Sequence, residues 1–294
     1  MESYLIIEKW VAYFFIYCFI GWCFESTYVS IKSRRLVNRG FLRGPFLPIY
    51  GFGAITILLA TLLVTWSVPL IFICGMIAAT LLEYVTGAIM ESVFSMKYWD
   101  YSNQRFNIKG YICLSSSIAW GVFSVLLVKV VHVPVVRIVG NMNKTLLGVI
   151  LLVVAAVTAV DFVFSFKNAL DFRKILVYQA AVKKELAELS ERISETREAF
   201  SEMANEKQRE YFARQEERIS ALKLELDAVR FKAEKFSKSI IRSFPNSSSD
   251  RFGEALEDIK KKVLSRKNSQ CNSLNPGKLY FFKVAPFKNA GICI

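Results

Sequence analysis

The sequence predicts an all-α integral membrane protein of about five spans followed by a long helical arm. Hydrophobic residues make up 53% of the chain, mean hydropathy is positive, and long apolar runs recur through the first half. The stretch from residue 168 to 244 is dense instead in Glu, Lys, Arg, Ala and Leu, the composition of a long surface helix.

The spans fall at about residues 10–31, 46–66, 69–94, 111–133 and 145–166. Each reaches the roughly 20 residues that a crossing needs at about 1.5 Å per residue. The fifth is the most uniformly apolar and carries only Asp161 as a charge. Basic residues set the orientation. The first connection holds Lys32, Arg34, Arg35, Arg39 and Arg43, the second, around Ser67-Val68, holds none, and the third holds Lys97, Arg105 and Lys109. Lys129, Arg137 and Lys144 in the fourth dilute this contrast. The positive-inside rule then places the N-terminus outside, the first and third connections inside, and the arm in the cytoplasm, with the plasma membrane as the expected location. Glu2 and Glu8 stand where a signal peptide would be positive, so the first span is expected to be retained.

The formal charge of +13 is concentrated in the inner loops and the arm. That distribution points to membrane lipid as a partner, each well-placed basic residue being worth about 1 kcal/mol on an anionic leaflet, and not to nucleic acid. The six cysteines form no CxxC pair, and a single histidine, His132, offers no Cys/His zinc site. No cofactor or metal is expected.

In the arm, apolar residues recur at heptad spacing through Val182, Leu186, Leu189 and Ile193, continuing to Phe200 and Met203. A second run passes through Phe212, Ile219, Leu222, Leu226, Val229, Ala233, Phe236 and Ile240. The two are out of phase across 205–210, which means a stutter in one long coiled-coil-like helix or a turn between two antiparallel ones. The lack of Gly or Pro at the break favours the single helix. Residues 245–294 read as a linker at Pro245 to Ser249, one short amphipathic helix within 252–264, and a flexible tail.

One pattern occurs twice in the apolar half. Gly21 leads to Glu25-Ser26, Gly40-Phe41-Leu42 and Tyr50-Gly51; Gly87 leads to Glu91-Ser92, Gly110-Tyr111-Ile112 and Trp120-Gly121. This reads as a duplicated helical hairpin with a carboxylate in each copy. A charge within lipid is costly and persists where something uses it. Glu25, Glu83, Glu91 and Asp161, with Ser26, are therefore candidates to line a substrate or ion path. Burial favours their protonated forms, which suits proton or cation exchange. Glu83 is the deepest; a structural pairing with an arginine or a hydroxyl is the plainer alternative.

The loops beside them form a second set. Arg39, Gly40, Arg43, Gly44, Pro45, Pro48, Tyr50 and Gly51 open the second span with an unusual density of Gly and Pro. Such backbone survives at membrane depth only inside protein or against a wet cavity, so a broken or re-entrant start is one reading and a tight interfacial turn the other. In the third connection Trp99, Asp100, Tyr101 and Ser102 lead through Asn107 to Gly110. Trp99 and Tyr101 suit an aromatic belt, and Asp100 is expected to pair with Arg39 or Arg43.

Gly21-Trp22, Glu25, the run from Asn38 to Leu42, Gly44-Pro45 and the run from Pro48 to Gly53 resemble the putative ABC-transporter type IV permease family, CmpB-like proteins of Gram-positive bacteria. Glu83-Tyr84, Met90-Glu91, Trp99 to Ser102, Phe106 to Ile108, Gly110 and Ile112 to Leu114 extend the likeness, which covers about residues 10–135. The resemblance implies a multi-span plasma-membrane protein of transporter type with no assigned substrate. The chain lacks a Gly-x4-Gly-Lys-[Ser/Thr] phosphate loop, so no enzymatic activity of its own is expected. ATP hydrolysis would fall to a separate ATP-binding subunit, and so few spans call for a homo-oligomer. The alternative function is a non-transporting adaptor or regulatory scaffold acting through the inner loops and the arm.

Overall fold

The computed structural model describes residues 2–34, 36–199, 206–261 and 263, and every regular element among them is a helix. In chain order these are α1 (Glu2–Ser33), α2 (Pro48–Thr61), α3 (Val68–Phe94), α4 (Leu114–Asn141), α5 (Lys144–Ala199), α6 (Glu206–Ser243) and a short α7 over residues 253–261. Four helices are long and apolar enough to cross a membrane: α1, α3, α4 and the first part of α5. α1 packs on α2, α2 on α3, and α3 on α4.

The second expected span is shorter than its apolar run. α2 has 14 residues, about 21 Å of helix against a hydrocarbon core of about 30 Å. The missing length is irregular chain that runs back down α1. Val37 N donates to Ser30 Oγ at 3.0 Å, Arg39 N to Ser26 Oγ at 3.1 Å, and Leu47 N to Cys18 O at 3.0 Å. Between residues 30 and 18 α1 rises about 18 Å, so α2 starts at Pro48 well below the end of α1. Pro48 needs no N–H there, which makes it a suitable first helical residue.

The 95–113 loop behaves alike. Ser95 ends α3 in a left-handed conformation, Tyr101 N donates to Gly110 O at 2.9 Å, and the Trp99 indole donates to Tyr111 O at 2.9 Å. Gly110 sits at φ +73°, and a Cβ there would lie 2.6 Å from both Asp100 Oδ1 and Ser102 Oγ, so a side chain is excluded on both counts. Cys113 and Ser116 cap α4 reciprocally.

Past the membrane α5 continues unbroken to Ala199, as the absence of Gly and Pro after Gly148 permits. α6 then returns antiparallel along it, which replaces the single interrupted arm expected from the sequence. The out-of-phase heptads are two faces of one helical hairpin: Val182 packs with Leu222 and Leu226, flanked by Leu186 and Leu189, and Arg218 pairs with Glu185 at 2.7 Å. Phe200, Met203 and the Phe236 side chain lie outside the described residues, as do the distal tail and Cys271 and Cys293.

The expected linker after Phe244 is instead packed against the loops. Lys97 and Ser248 form an antiparallel bridge, Ser249 Oγ donates to Ser95 O at 2.6 Å, and Lys97 Nζ lies 2.9 Å from Asp250. Leu256, Ile259 and Val263 of the same segment join Phe94, Met96, Phe172, Leu176 and Ile241 in the largest core cluster.

Asp258 ties three elements together, pairing with Lys183 of α5 and, at 3.2 Å, with Arg230 of α6. Partial burial works against its charge, but hydrogen bonds and attraction from Lys183 and Arg230 outweigh that and hold its pKa below the usual 3.8. A lowered folded pKa contributes stability that is complete above about pH 4 and is lost as pH falls through the folded value. Limited proteolysis across an acid titration should therefore open the α5–α6 hairpin of wild type below pH 4. Asp258→Asn should be open at neutral pH to begin with and show less acid dependence.

Candidate functional site

The two descending loops meet between the hairpins. Glu25, Arg39, Tyr50, Glu83, Asp100 and Tyr101 line one cavity of about 90 Å³, closed by Trp99 and Trp120 and by Phe244 and Asn246 from the C-terminal segment.

Glu25 is held by the first loop. Arg39 Nε lies 3.0 Å from its Oε2 and the Tyr50 hydroxyl donates to its Oε1 at 2.9 Å. Both partners of the ion pair are largely buried, 12% and 15% exposed at the side chain. Gly21, one turn before Glu25, gives Tyr50 its place, because a Cβ on residue 21 would overlap the Tyr50 ring. Arg39 also donates to Ser243 O and stacks on the Phe244 ring, its guanidinium 4.8 Å from the centroid. The expected pairing of Asp100 with Arg39 or Arg43 is not formed, since Glu25 on the adjacent helix takes Arg39.

Glu83 is 6% exposed and has neutral partners throughout. The Trp120 indole donates to Oε2 at 3.1 Å, the Ser116 hydroxyl lies 3.3 Å from the same oxygen, and the Tyr101 hydroxyl donates to Oε1 at 3.3 Å. Asp100 accepts from Ser102 N at 2.9 Å, from Ser102 Oγ at 2.5 Å and from Ser248 Oγ at 2.6 Å. Its partial burial would raise its pKa; these hydrogen bonds and the nearby Lys97 charge lower it on balance.

The remaining candidates stand elsewhere. Glu91 accepts from the Tyr111 hydroxyl and lies 4.0 Å from Lys97. Asp161 on α5 accepts from the amides of Gly44 at 2.8 Å and Arg43 at 3.3 Å and from Ser165, so it anchors the first loop and does not face the cavity. Ser26 and Asn107 brace loop backbone, the latter donating to Ser102 O and Gln104 O. Gly40, Gly44, Pro45, Pro48 and Gly51 shape the chain without lining this cavity.

Sequence reasoning missed Trp120, Ser116, Phe244 and Asn246. Trp120 was within reach, since it occupies the place in the second pattern that Tyr50 holds in the first. Phe244 and Asn246 flank a proline in a polar stretch, with no local signal that they return to the membrane loops.

Removing Arg39 should strand Glu25 as an unpaired buried charge, at a cost on the order of 3 kcal/mol. Thermal melting in detergent should show Arg39→Ala far less stable than wild type, and Glu25→Gln combined with Arg39→Met closer to it.

A family model described as putative ABC-transporter type IV matches residues 12–166. Neither curated proteins nor solved structures give a match. The family match takes in more than half of the chain, all four spanning segments in whole or in part, and every cavity residue from Glu25 to Trp120, so the chain belongs to the putative ABC-transporter type IV family of membrane proteins.

Proposed function

We propose that the chain is the permease subunit of a plasma-membrane transporter, with a substrate or ion path between the α1–α2 and α3–α4 hairpins and with its energy supplied by a separate ATP-binding subunit. The observation that carries this reading is that Glu25 and Glu83, on different hairpins, face one cavity. Their partners divide the work. Arg39 neutralises Glu25, whereas Glu83 receives hydrogen bonds from neutral donors and holds the charge that a proton or cation could balance.

A continuation of the cavity supports the path. The Tyr50 and Trp120 rings, 6.1 Å apart, separate it from an apolar cavity of about 170 Å³ lined in part by Gly21, Ala54, Ile57 and Phe123. Tyr17 lines that second cavity and is hydrogen-bonded to His132 Nδ1 at 2.7 Å, beside a third cavity of about 470 Å³ at the opposite end of the bundle. His132 directly follows a π-helical turn, Leu127–Val131, a distortion that gathers at functional sites. Passage requires Tyr50 and Trp120 to part.

The two hairpins fit a duplicated unit. Gly51 and Gly121 hold the same place in the two patterns, and a Cβ on either would overlap a phenylalanine of the preceding helix, Phe14 of α1 and Phe72 of α3. A second copy of the chain would complete a translocation unit from so few spans, with the loops, the α5–α6 hairpin and the ATP-binding subunit on the cytoplasmic side. Since the chain has no phosphate loop, it is not itself the ATPase.

The second reading, a membrane adaptor, is favoured by the α5–α6 hairpin, which projects beyond the loops by tens of ångströms and is joined to them at its base. The tagged protein, purified from its native membrane in mild detergent, separates the two. A permease brings down a stoichiometric ATP-binding subunit. Glu83→Gln should keep that partner while ATP turnover of the reconstituted complex falls to its uncoupled level. An adaptor keeps its activity in Glu83→Gln and loses its partner when the distal part of the hairpin, about residues 190–218, is replaced by a short linker.

A further inference from the structure

A pair of adjoining cavities lies on the other side of the first loop, between it and α5. One, of about 370 Å³, is the more polar of the two and is lined by Asn38, Arg43, Ser165 and Asn168 among others. The other, also of about 370 Å³, is walled by Phe41, Phe52, Ile89, Met90, Phe162 and Phe166 among others. Phe41, Tyr98 and Phe244 line both and form the wall they share.

Their placement along α5 fixes their depth. Phe162 and Phe166 close the apolar run of that helix and Lys167 begins its charged continuation, so both cavities lie near the membrane surface, the more polar one reaching past it to Asn168 and Ala169. The apolar one is open towards lipid, since Phe52, Ile89 and Phe162 on its walls are 56%, 57% and 47% exposed. The polar one carries an exposed arginine, Arg43, whose guanidinium has no carboxylate partner among the described residues. The nearby Asp161 is occupied by the amides of Arg43 and Gly44 and by Ser165. A second observation points to a missing ligand: Tyr98, which lines both cavities, is 3% exposed, and its buried hydroxyl has no hydrogen-bond partner among the described residues. Buried polar atoms are rarely left unsatisfied, so an orphan beside a cavity marks a place for one.

We propose that this pair of cavities binds one anionic phospholipid, its phosphate on Arg43, its glycerol ester oxygens against the shared wall where Tyr98 turns its hydroxyl out to meet them, and one acyl chain among the phenylalanines. The cationic residue and the apolar slot beside it match the two ends of such a molecule, and a soluble anion would leave the slot empty. The occupied lipid would bridge the first loop, α3 and α5. This site adjoins the Glu25–Glu83 cavity across Leu47, Ile49, Trp99 and Phe244, and its occupancy does not depend on whether the chain transports.

The test is retained lipid per chain, counted by native mass spectrometry after reconstitution in phosphatidylcholine bilayers with a minor fraction of phosphatidylglycerol and extraction in mild detergent. Wild type should keep one phosphatidylglycerol. Arg43→Ala should lower that occupancy about five-fold, the value of one basic contact, with Arg43→Lys recovering most of it. Tyr98→Phe removes an atom that bonds nothing among the described residues, so it should lower retention while leaving the melting temperature of delipidated protein unchanged or raised. Ile89→Trp should fill the slot and displace lipid of either headgroup. Equal retention of phosphatidylcholine, undiminished retention in both Arg43→Ala and Tyr98→Phe, displacement by inorganic phosphate alone, or a second copy of the chain in place of lipid would each overturn the proposal.

Discussion

Polar backbone carried into the membrane must find its partners inside the chain, and the architecture follows from how this protein meets that demand. Two segments cross part of the bilayer depth without helical bonding. The first is stitched to α1 through Ser30, Ser26 and the Cys18 carbonyl and to α5 through Asp161. The second is stitched to itself through Tyr101 and Gly110 and to the C-terminal segment through Lys97 and Ser248. Hydroxyls in the spanning helices and a lone aspartate on the most apolar of them thereby acquire structural reasons for being there.

The same demand brings the charged groups together. Because the loops descend, Arg39 arrives at the depth of Glu25 and Tyr101 at the depth of Glu83, and the two carboxylates share a cavity that neither hairpin could build alone. The contrast between them is a matter of which donor each meets. A guanidinium compensates one carboxylate, while the partners of the other are an indole and hydroxyls, none of them charged. Asp161 has the opposite fate: its oxygens are consumed by loop amides, so its cost in the apolar helix is offset by the order it imposes on the first loop.

Much of this was legible in the sequence, and the omissions have physical causes. Hydropathy locates the spanning helices because lipid burial acts on every residue of a crossing; it overstates the second span because an apolar run does not distinguish helix from the exposed turn that follows it, where Leu63 and Trp66 are 85% and 77% exposed. Density of Gly and Pro around residues 40–53 marks the irregular start, since those residues disrupt helical bonding wherever they fall. Glu25, Glu83, Arg39, Tyr50 and Trp99 to Tyr101 were identifiable as a set, because polar and aromatic groups at membrane depth are few. Their pairing was not: Asp100 and Glu25 are equally good partners for Arg39 on charge alone, and only the descent of the loop along α1 decides between them. The antiparallel return of α6 was signalled by the phase shift in the heptads, but no Gly or Pro marks where the chain reverses. The docking of residues 247–249 onto the loops rests on serine hydroxyls and backbone amides, groups that every linker also carries.

α5 is a single helix from Lys144 to Ala199. Asp161, where it grips the first loop, therefore lies on the same rigid rod as the distal hairpin, about 57 Å from its far end. A tilt of about 5° at that grip carries the tip through about 5 Å. The helix is thus a lever arm with its fulcrum in the membrane, and the loop that holds Arg39 against Glu25 is gripped at that fulcrum.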